Sequence, residues 1–144
     1  MFRKVSVSEA FCYDKYMDFI SINALIASLV LLLLSVFQIA LIAGAPIGKF
    51  AWGGMNNILP VKLRVASIVS IVLYILFTIF ILSKSGLLPL ITSPVLIDVS
   101  MWVIAAYFVL GIGLNAISRS KKERMMMTPV VLLLAVNFLV VAIS

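Results

Sequence analysis

Histidine is absent from the chain, and cysteine occurs once, as Cys12. Together these exclude a disulfide within the chain, a Cys-x-x-Cys redox pair and histidine ligation of haem or metal. Neither a metal nor a cofactor is therefore expected. No Ser/His/Asp set and no paired carboxylate occurs, so the sequence offers no carriers for hydrolytic chemistry, and no enzyme is expected. Acids are scarce, five Asp and Glu in all, and none lies deep in an apolar run. Proton- or cation-coupled transporters need such a group as carrier. A small multidrug-type exporter would match the length and helix number, yet its membrane-embedded acid has no counterpart here. Glu9 would supply one only if the first span began well before its apolar run. Cys12 is expected to be a passive small residue.

What is abundant is apolar surface. Of 144 residues, 65% are hydrophobic and 11% charged, whereas a soluble domain has about 45–50% apolar and about 25% charged residues. The composition specifies an integral membrane protein, residues 1–144 forming a single membrane domain. The net charge of +6 falls in loops and the N-terminal segment. That placement fits topology and headgroup contact rather than nucleic-acid binding. The first apolar run, residues 19–43, is too long for a signal-peptide h-region, and no Ala-x-Ala-like site follows it.

Four spans are expected, at about 19–43, 63–83, 98–118 and 126–143, giving an all-α, up-down-up-down four-helix bundle. Residues 8–18 interleave Glu9, Asp14, Lys15 and Asp18 with Phe11, Tyr13 and Tyr16. They predict a short N-terminal interfacial helix or an extension of the first span, with Ser8 as a cap. Residues 87–97 are apolar but too short to span, and Pro89 and Pro94 break a helix there. Asp98 with Ser100 is the expected start of the third span. Thr128-Pro129 reads as N-cap and N1 of the fourth, unless Met125–Met127 add a turn before it.

Loops one and three hold seven Lys and Arg (Lys49, Lys62, Arg64, Arg119, Lys121, Lys122, Arg124), the opposite side four (Arg3, Lys4, Lys15, Lys84). The positive-inside rule places loops 44–62 and 119–125 in the cytoplasm and both termini outside. Cations close to the first helix weigh the other way. Glu123 with Arg119 and Arg124 is expected to be a local ion pair in a solvated turn.

Polar residues within the spans fall in stripes. Ser67, Ser70, Tyr74 and Thr78 share one helical face, as do Tyr107, Gly111, Asn115 and Ser118. Such stripes usually form helix–helix seams, with hydrogen bonds running between helices. Gln38, Ser67, Ser70, Asn115 and Ser118 fall in the half nearest the basic loops. With Tyr74 and Trp52 they could line a polar pocket, rimmed by Lys49, Lys62, Arg64, Arg119 and Arg124, that suits an anionic lipid headgroup.

Residues 44–64 contain four glycines, two prolines, Trp52 and three cations between two apolar runs. The segment is no Walker loop, since Gly44-x-x-x-Gly48-Lys49 lacks the spacing, the Ser/Thr and the preceding strand. Helix–helix connections usually take about 2–8 residues, and this one, residues 44–62, takes 19. The excess predicts an ordered loop, 44–62, folded against the bundle as a cap. Gly44-Ala45-Pro46-x-Gly48, Trp52-Gly53-Gly54, Leu59-Pro60, Leu63-Arg64 and Ser67 resemble the signature of a group of small bacterial membrane proteins. Ser118-x-Ser120-x-x-Glu123-Arg124 followed by Pro129 resembles the second signature of that group. The resemblance covers about a quarter of the chain; Ile47 departs from the aromatic expected there. It implies four spans, a bacterial origin and hence the inner membrane, and no reaction.

The functional expectation is a non-catalytic membrane protein that binds an anionic lipid or a membrane-protein partner through the loop-one/loop-three face. The alternative is an oligomeric small permease or channel-like transporter, since four helices enclose little lumen. A lipid-directed enzyme would have to use Arg64, Tyr74 and Asn115 without histidine or acid.

Overall fold

Four apolar helices follow one another in the computed structural model, which describes residues 7–144, with side chains from residue 11 onward. They are α1 (Val7–Ile42), α2 (Val61–Lys84), α3 (Pro94–Ala116) and α4 (Lys121–Ile143). Each is long and apolar enough to cross a membrane. No strand occurs among the described residues. The chain is an all-α, four-helix integral membrane protein. Arg3 and Lys4, counted above toward topology, lie outside the described residues, as do the side chains of Ser8 and Glu9.

α1 has 36 residues, about 54 Å at 1.5 Å per residue, against a hydrocarbon core of about 30 Å. The polar residues before Phe19 therefore extend the first span as one continuous helix. Ser8 already lies inside that helix, so it does not cap it. α1 ends in a Schellman motif: the Ala45 amide donates to the Ala40 carbonyl and the Gly44 amide to the Leu41 carbonyl. Gly44, at φ +90°, supplies the left-handed residue that this ending requires.

The later spans begin earlier than expected, and capping chemistry explains why. Ser93, not Asp98, caps α3: its hydroxyl accepts the Leu96 amide, and Pro94 occupies the first turn. A proline there lacks only an amide that would have been unpaired anyway, so Pro94 starts the helix instead of breaking one. Asp98 instead binds Lys84 at 2.8 Å, tying the end of α2 to the start of α3. The aspartate is more than half exposed, so Lys84→Ala should lower the unfolding free energy by less than about 1 kcal/mol. Reversible unfolding in mixed micelles would measure this; a larger loss would mean that the pair is desolvated. α4 starts at Lys121 behind Ser120, whose hydroxyl accepts the Glu123 amide at 3.3 Å. Thr128 and Pro129 thus fall inside the helix.

The helices form a four-sided bundle in chain order, with α4 closing against α1 and the α2–α3 seam the thinnest of the four. The main core contains Leu31, Phe77, Met101, Phe108, Leu134 and Phe138. Four rings knit its centre, Phe77 meeting Tyr107 at 5.3 Å and Phe108 at 5.5 Å, and Phe108 meeting Phe138 at 5.1 Å. The polar stripes do not join the helices by hydrogen bonds. Ser28, Ser35, Ser70, Thr78, Asn115 and Asn137 all donate to the carbonyl four residues earlier in their own helix. In a medium without water, that carbonyl is the nearest acceptor.

A second small core contains Leu41, Ala51 and Leu59, with Phe37, Ile47 and Leu63 packed against it. It holds the α1–α2 connector against the end of the bundle as a cap.

Candidate functional site: a roofed cleft between α2 and α3

Two 3-10 turns, Gly48–Phe50 and Trp52–Gly54, build the cap. The second is unusual. Trp52, Gly53 and Gly54 have φ of 54°, 78° and 65°, three consecutive residues in the left-handed region. Trp52 carries a side chain there, a conformation that non-glycine residues hold only under constraint. The constraint is visible: its indole Nε1 donates to Ser67 Oγ at 3.2 Å. Ser67 is fully buried beneath it.

The left-handed turn faces the start of α4. Gly53 N donates to Glu123 Oε2 at 3.0 Å, and Ser118 Oγ donates to the same oxygen. Ser120 Oγ donates to the Lys49 carbonyl while accepting the Glu123 amide. A capping-box glutamate would reach back to the N-cap amide. Glu123 instead reaches forward to the cap, and the Ser120 amide turns to Ser118 Oγ at 3.2 Å. Glu123 is 8% exposed, and the ion pairs expected with Arg119 and Arg124 do not form. Among the described residues the only salt bridge is Lys84–Asp98. A carboxylate placed in the sequence among solvated cations is thus buried, because two neutral donors and the roof of the cap enclose it.

Below the cap lies a cavity of about 530 Å³. Phe50 to Gly53 roof it, Gln38 of α1 and Met127 of α4 stand at its back, and Ser70 and Tyr74 face Tyr107 and Asn115 across the α2–α3 seam. Leu110 and Leu114 also line it and are 70% and 68% exposed, so the cleft opens sideways, where a membrane places acyl chains. Its inner end is closed by Tyr107 and Phe108 of the aromatic cluster.

Of the twelve residues singled out from the sequence for the pocket and its rim, Gln38, Trp52, Ser70, Tyr74, Asn115 and Ser118 line this cavity. Ser67 does not; it is the buried acceptor for Trp52. None of the five cations lines it. Lys49, Lys62, Arg119 and Arg124 are exposed at the same end of the bundle. Arg64 lies across Gly44, where an added Cβ would come within 3.2 Å of its guanidinium, and donates from Nε to the Leu59 carbonyl at 2.9 Å. The rim is therefore a fringe outside the cleft.

Sequence reasoning missed Glu123, Tyr107 and the roof residues Phe50 and Gly53 as lining groups. The signal for Glu123 was present as Ser120-x-x-Glu123, a helix-start pattern that placed the glutamate inside α4. No protein-family model, curated protein or solved structure matches the chain.

Proposed function

We propose that this protein binds one membrane amphiphile, admitted sideways from the bilayer through the α2–α3 cleft, and performs no covalent chemistry on it. The shape of the cavity carries this reading: polar groups beneath the cap, an aromatic floor at Tyr107 and Phe108, and an apolar mouth at Leu110 and Leu114. Its volume of about 530 Å³ falls in the usual range for ligand pockets, about 300–1,000 Å³. That volume suits one headgroup and the first part of a chain. Among the lining residues Glu123 is the only acid, and no histidine, lysine or cysteine stands beside it, which favours binding over catalysis. The aromatic cluster below the cavity favours a dead-end site over a path through a single copy.

The exposed cations have a separate task. Each Lys or Arg near an anionic membrane surface contributes about 1 kcal/mol. Lys49, Lys62, Arg119 and Arg124 would hold anionic headgroups around the cap, and the positive-inside rule would set that end in the cytoplasm of a bacterial inner membrane.

Native mass spectrometry after release from nanodiscs of defined phospholipid composition tests both parts. The parent should retain a single lipid adduct. Ser70→Phe, which fills the cleft from α2, should lose it while keeping its helical circular dichroism. Exchanging the four exposed cations for Gln should leave that adduct in place and reduce enrichment of phosphatidylglycerol among loosely held lipids. Equal adduct retention by the parent and Ser70→Phe would refute the cleft.

A further inference from the structure

The cleft's hydrogen-bonding groups are unevenly used. Several of its donors are committed: Trp52 Nε1 to Ser67, Ser118 Oγ and Gly53 N to Glu123, Ser70 Oγ to Ala66 O, and Asn115 Nδ2 to Gly111 O. What remains among the described residues includes a set of acceptors. Gln38 Oε1 has no partner although Gln38 is only 7% exposed. Glu123 Oε1 and Asn115 Oδ1 receive no hydrogen bond from the described residues, although neither is fully enclosed. The Gln38 amide nitrogen and the Tyr74 and Tyr107 hydroxyls keep donors to offer.

Buried acceptors without donors cost free energy, and a buried carboxylate without a counter-charge costs more. No Lys or Arg lines the cavity to meet that need. Lys122 sits over the ring of the roof residue Phe50, 5.6 Å from its centroid, and does not line the cavity. A phosphate, sulfate or carboxylate head would leave the free acceptors unmet and bring a second negative charge to Glu123, with no Lys or Arg in the lining to offset it. A neutral polyol would satisfy the oxygens and leave the charge.

We infer that the head received here is a protonated amine, an ammonium bearing N–H donors on an apolar chain, with Glu123 as its counter-charge and Gln38 as a second acceptor. This assignment rests on the proposed lateral cleft and adds the chemical class of its occupant. An ammonium supplies up to three N–H groups for the free acceptors. The rings of Phe50, Trp52, Tyr74 and Tyr107 that surround the space also suit a cation. The basic fringe outside and the acidic interior thus select opposite charges.

The test uses three chain-matched probes, dodecylammonium, dodecanol and dodecyl sulfate, added to the protein in phosphatidylcholine nanodiscs. With Trp102→Phe as background, Trp52 fluorescence reports occupancy from the roof of the cavity. Dodecylammonium should bind at least about tenfold more tightly than dodecanol, the effect of one charge-assisted hydrogen bond, and dodecyl sulfate most weakly. Glu123→Gln should erase the ammonium preference. Because that variant also touches the cap, Gln38→Leu provides a second arm: it leaves the cap contacts intact and should weaken ammonium binding severalfold. Equal binding of the three heads, all blocked by Ser70→Phe, would overturn the amine assignment and leave the cleft standing. Binding indifferent to Ser70→Phe would overturn both.

Discussion

Glu123→Ala will detach the cap from the bundle. The carboxylate is the shared acceptor for Gly53 N and Ser118 Oγ, one on the cap and one at the turn before α4. Alanine leaves both donors partly buried and without a protein acceptor. Hydrogen bonds to a charged group contribute about 1.5–3 kcal/mol, and an unsatisfied buried donor costs about 1–3 kcal/mol. The docked state should lose on the order of 3 kcal/mol or more, over a hundredfold in its equilibrium. The main core is separate from the small core under the cap, so the helices should stay folded. Ala51, buried within the cap at 7% exposure, offers a reporter. In a Cys12→Ser background, maleimide should label Ala51→Cys slowly. Adding Glu123→Ala should accelerate labelling at least about a hundredfold, in proportion to that equilibrium. Glu123→Gln keeps a neutral acceptor and should fall between the two. An unchanged labelling rate in Glu123→Ala would mean that hydrophobic packing alone seats the cap.

The second large effect separates two adjacent glycines. Gly53 and Gly54 both have positive φ, so each resists a side chain by about 1–2 kcal/mol. Their surroundings differ. A Cβ on Gly53 would meet nothing within 4 Å, whereas one on Gly54 would lie 2.3 Å from Ser120 Cβ and 2.5 Å from its Oγ. Ser120 cannot withdraw, because it caps α4 and donates to Lys49 O. Gly53→Ala should therefore show only the conformational cost. Gly54→Ala should separate the cap from α4 and raise Ala51→Cys labelling by a further order of magnitude or more, in line with the cost of overpacking, about 1–3 kcal/mol. Similar rates for the two variants would show that the cap shifts to accommodate the methyl group.

The four spans were readable because a lipid solvent leaves the backbone no alternative to helix over an apolar run. Their starting points were not, because hydropathy says little about polar flanks. Ser93 and Asp98 are equally good caps by type; the proline after Ser93 decided between them, and a proline reads as a breaker or a starter depending on what precedes it. In α4, the polar residues Lys121 to Arg124 hid a first turn that Ser120 had already capped. The stripe containing Ser70 and Thr78 identified a face, but periodicity carries no information on which acceptor a hydroxyl chooses. Helical spacing puts Gln38, Tyr74 and Asn115 on faces that line one cavity, whereas Trp52 reaches it from the connector. Glu123 was misplaced because its burial depends on a glycine 70 residues away, beyond the reach of any local pattern. The two signature-like stretches, Trp52-Gly53-Gly54 and Ser118-x-Ser120-x-x-Glu123, prove to be two halves of one contact.

That separation has a consequence for assembly in the cell. Synthesis delivers the Trp52–Gly54 turn well before Glu123, the residue that accepts the Gly53 amide 70 positions later. Until then the turn has only the Trp52–Ser67 bond and the small core beneath the cap to hold it, and the tie to α4 is missing while α2 and α3 enter the bilayer. The fourth helix is thus a late checkpoint. A nascent chain stalled before Ser118 lacks both the Glu123 and Ser120 contacts of the cap and the helix that closes the bundle against α1.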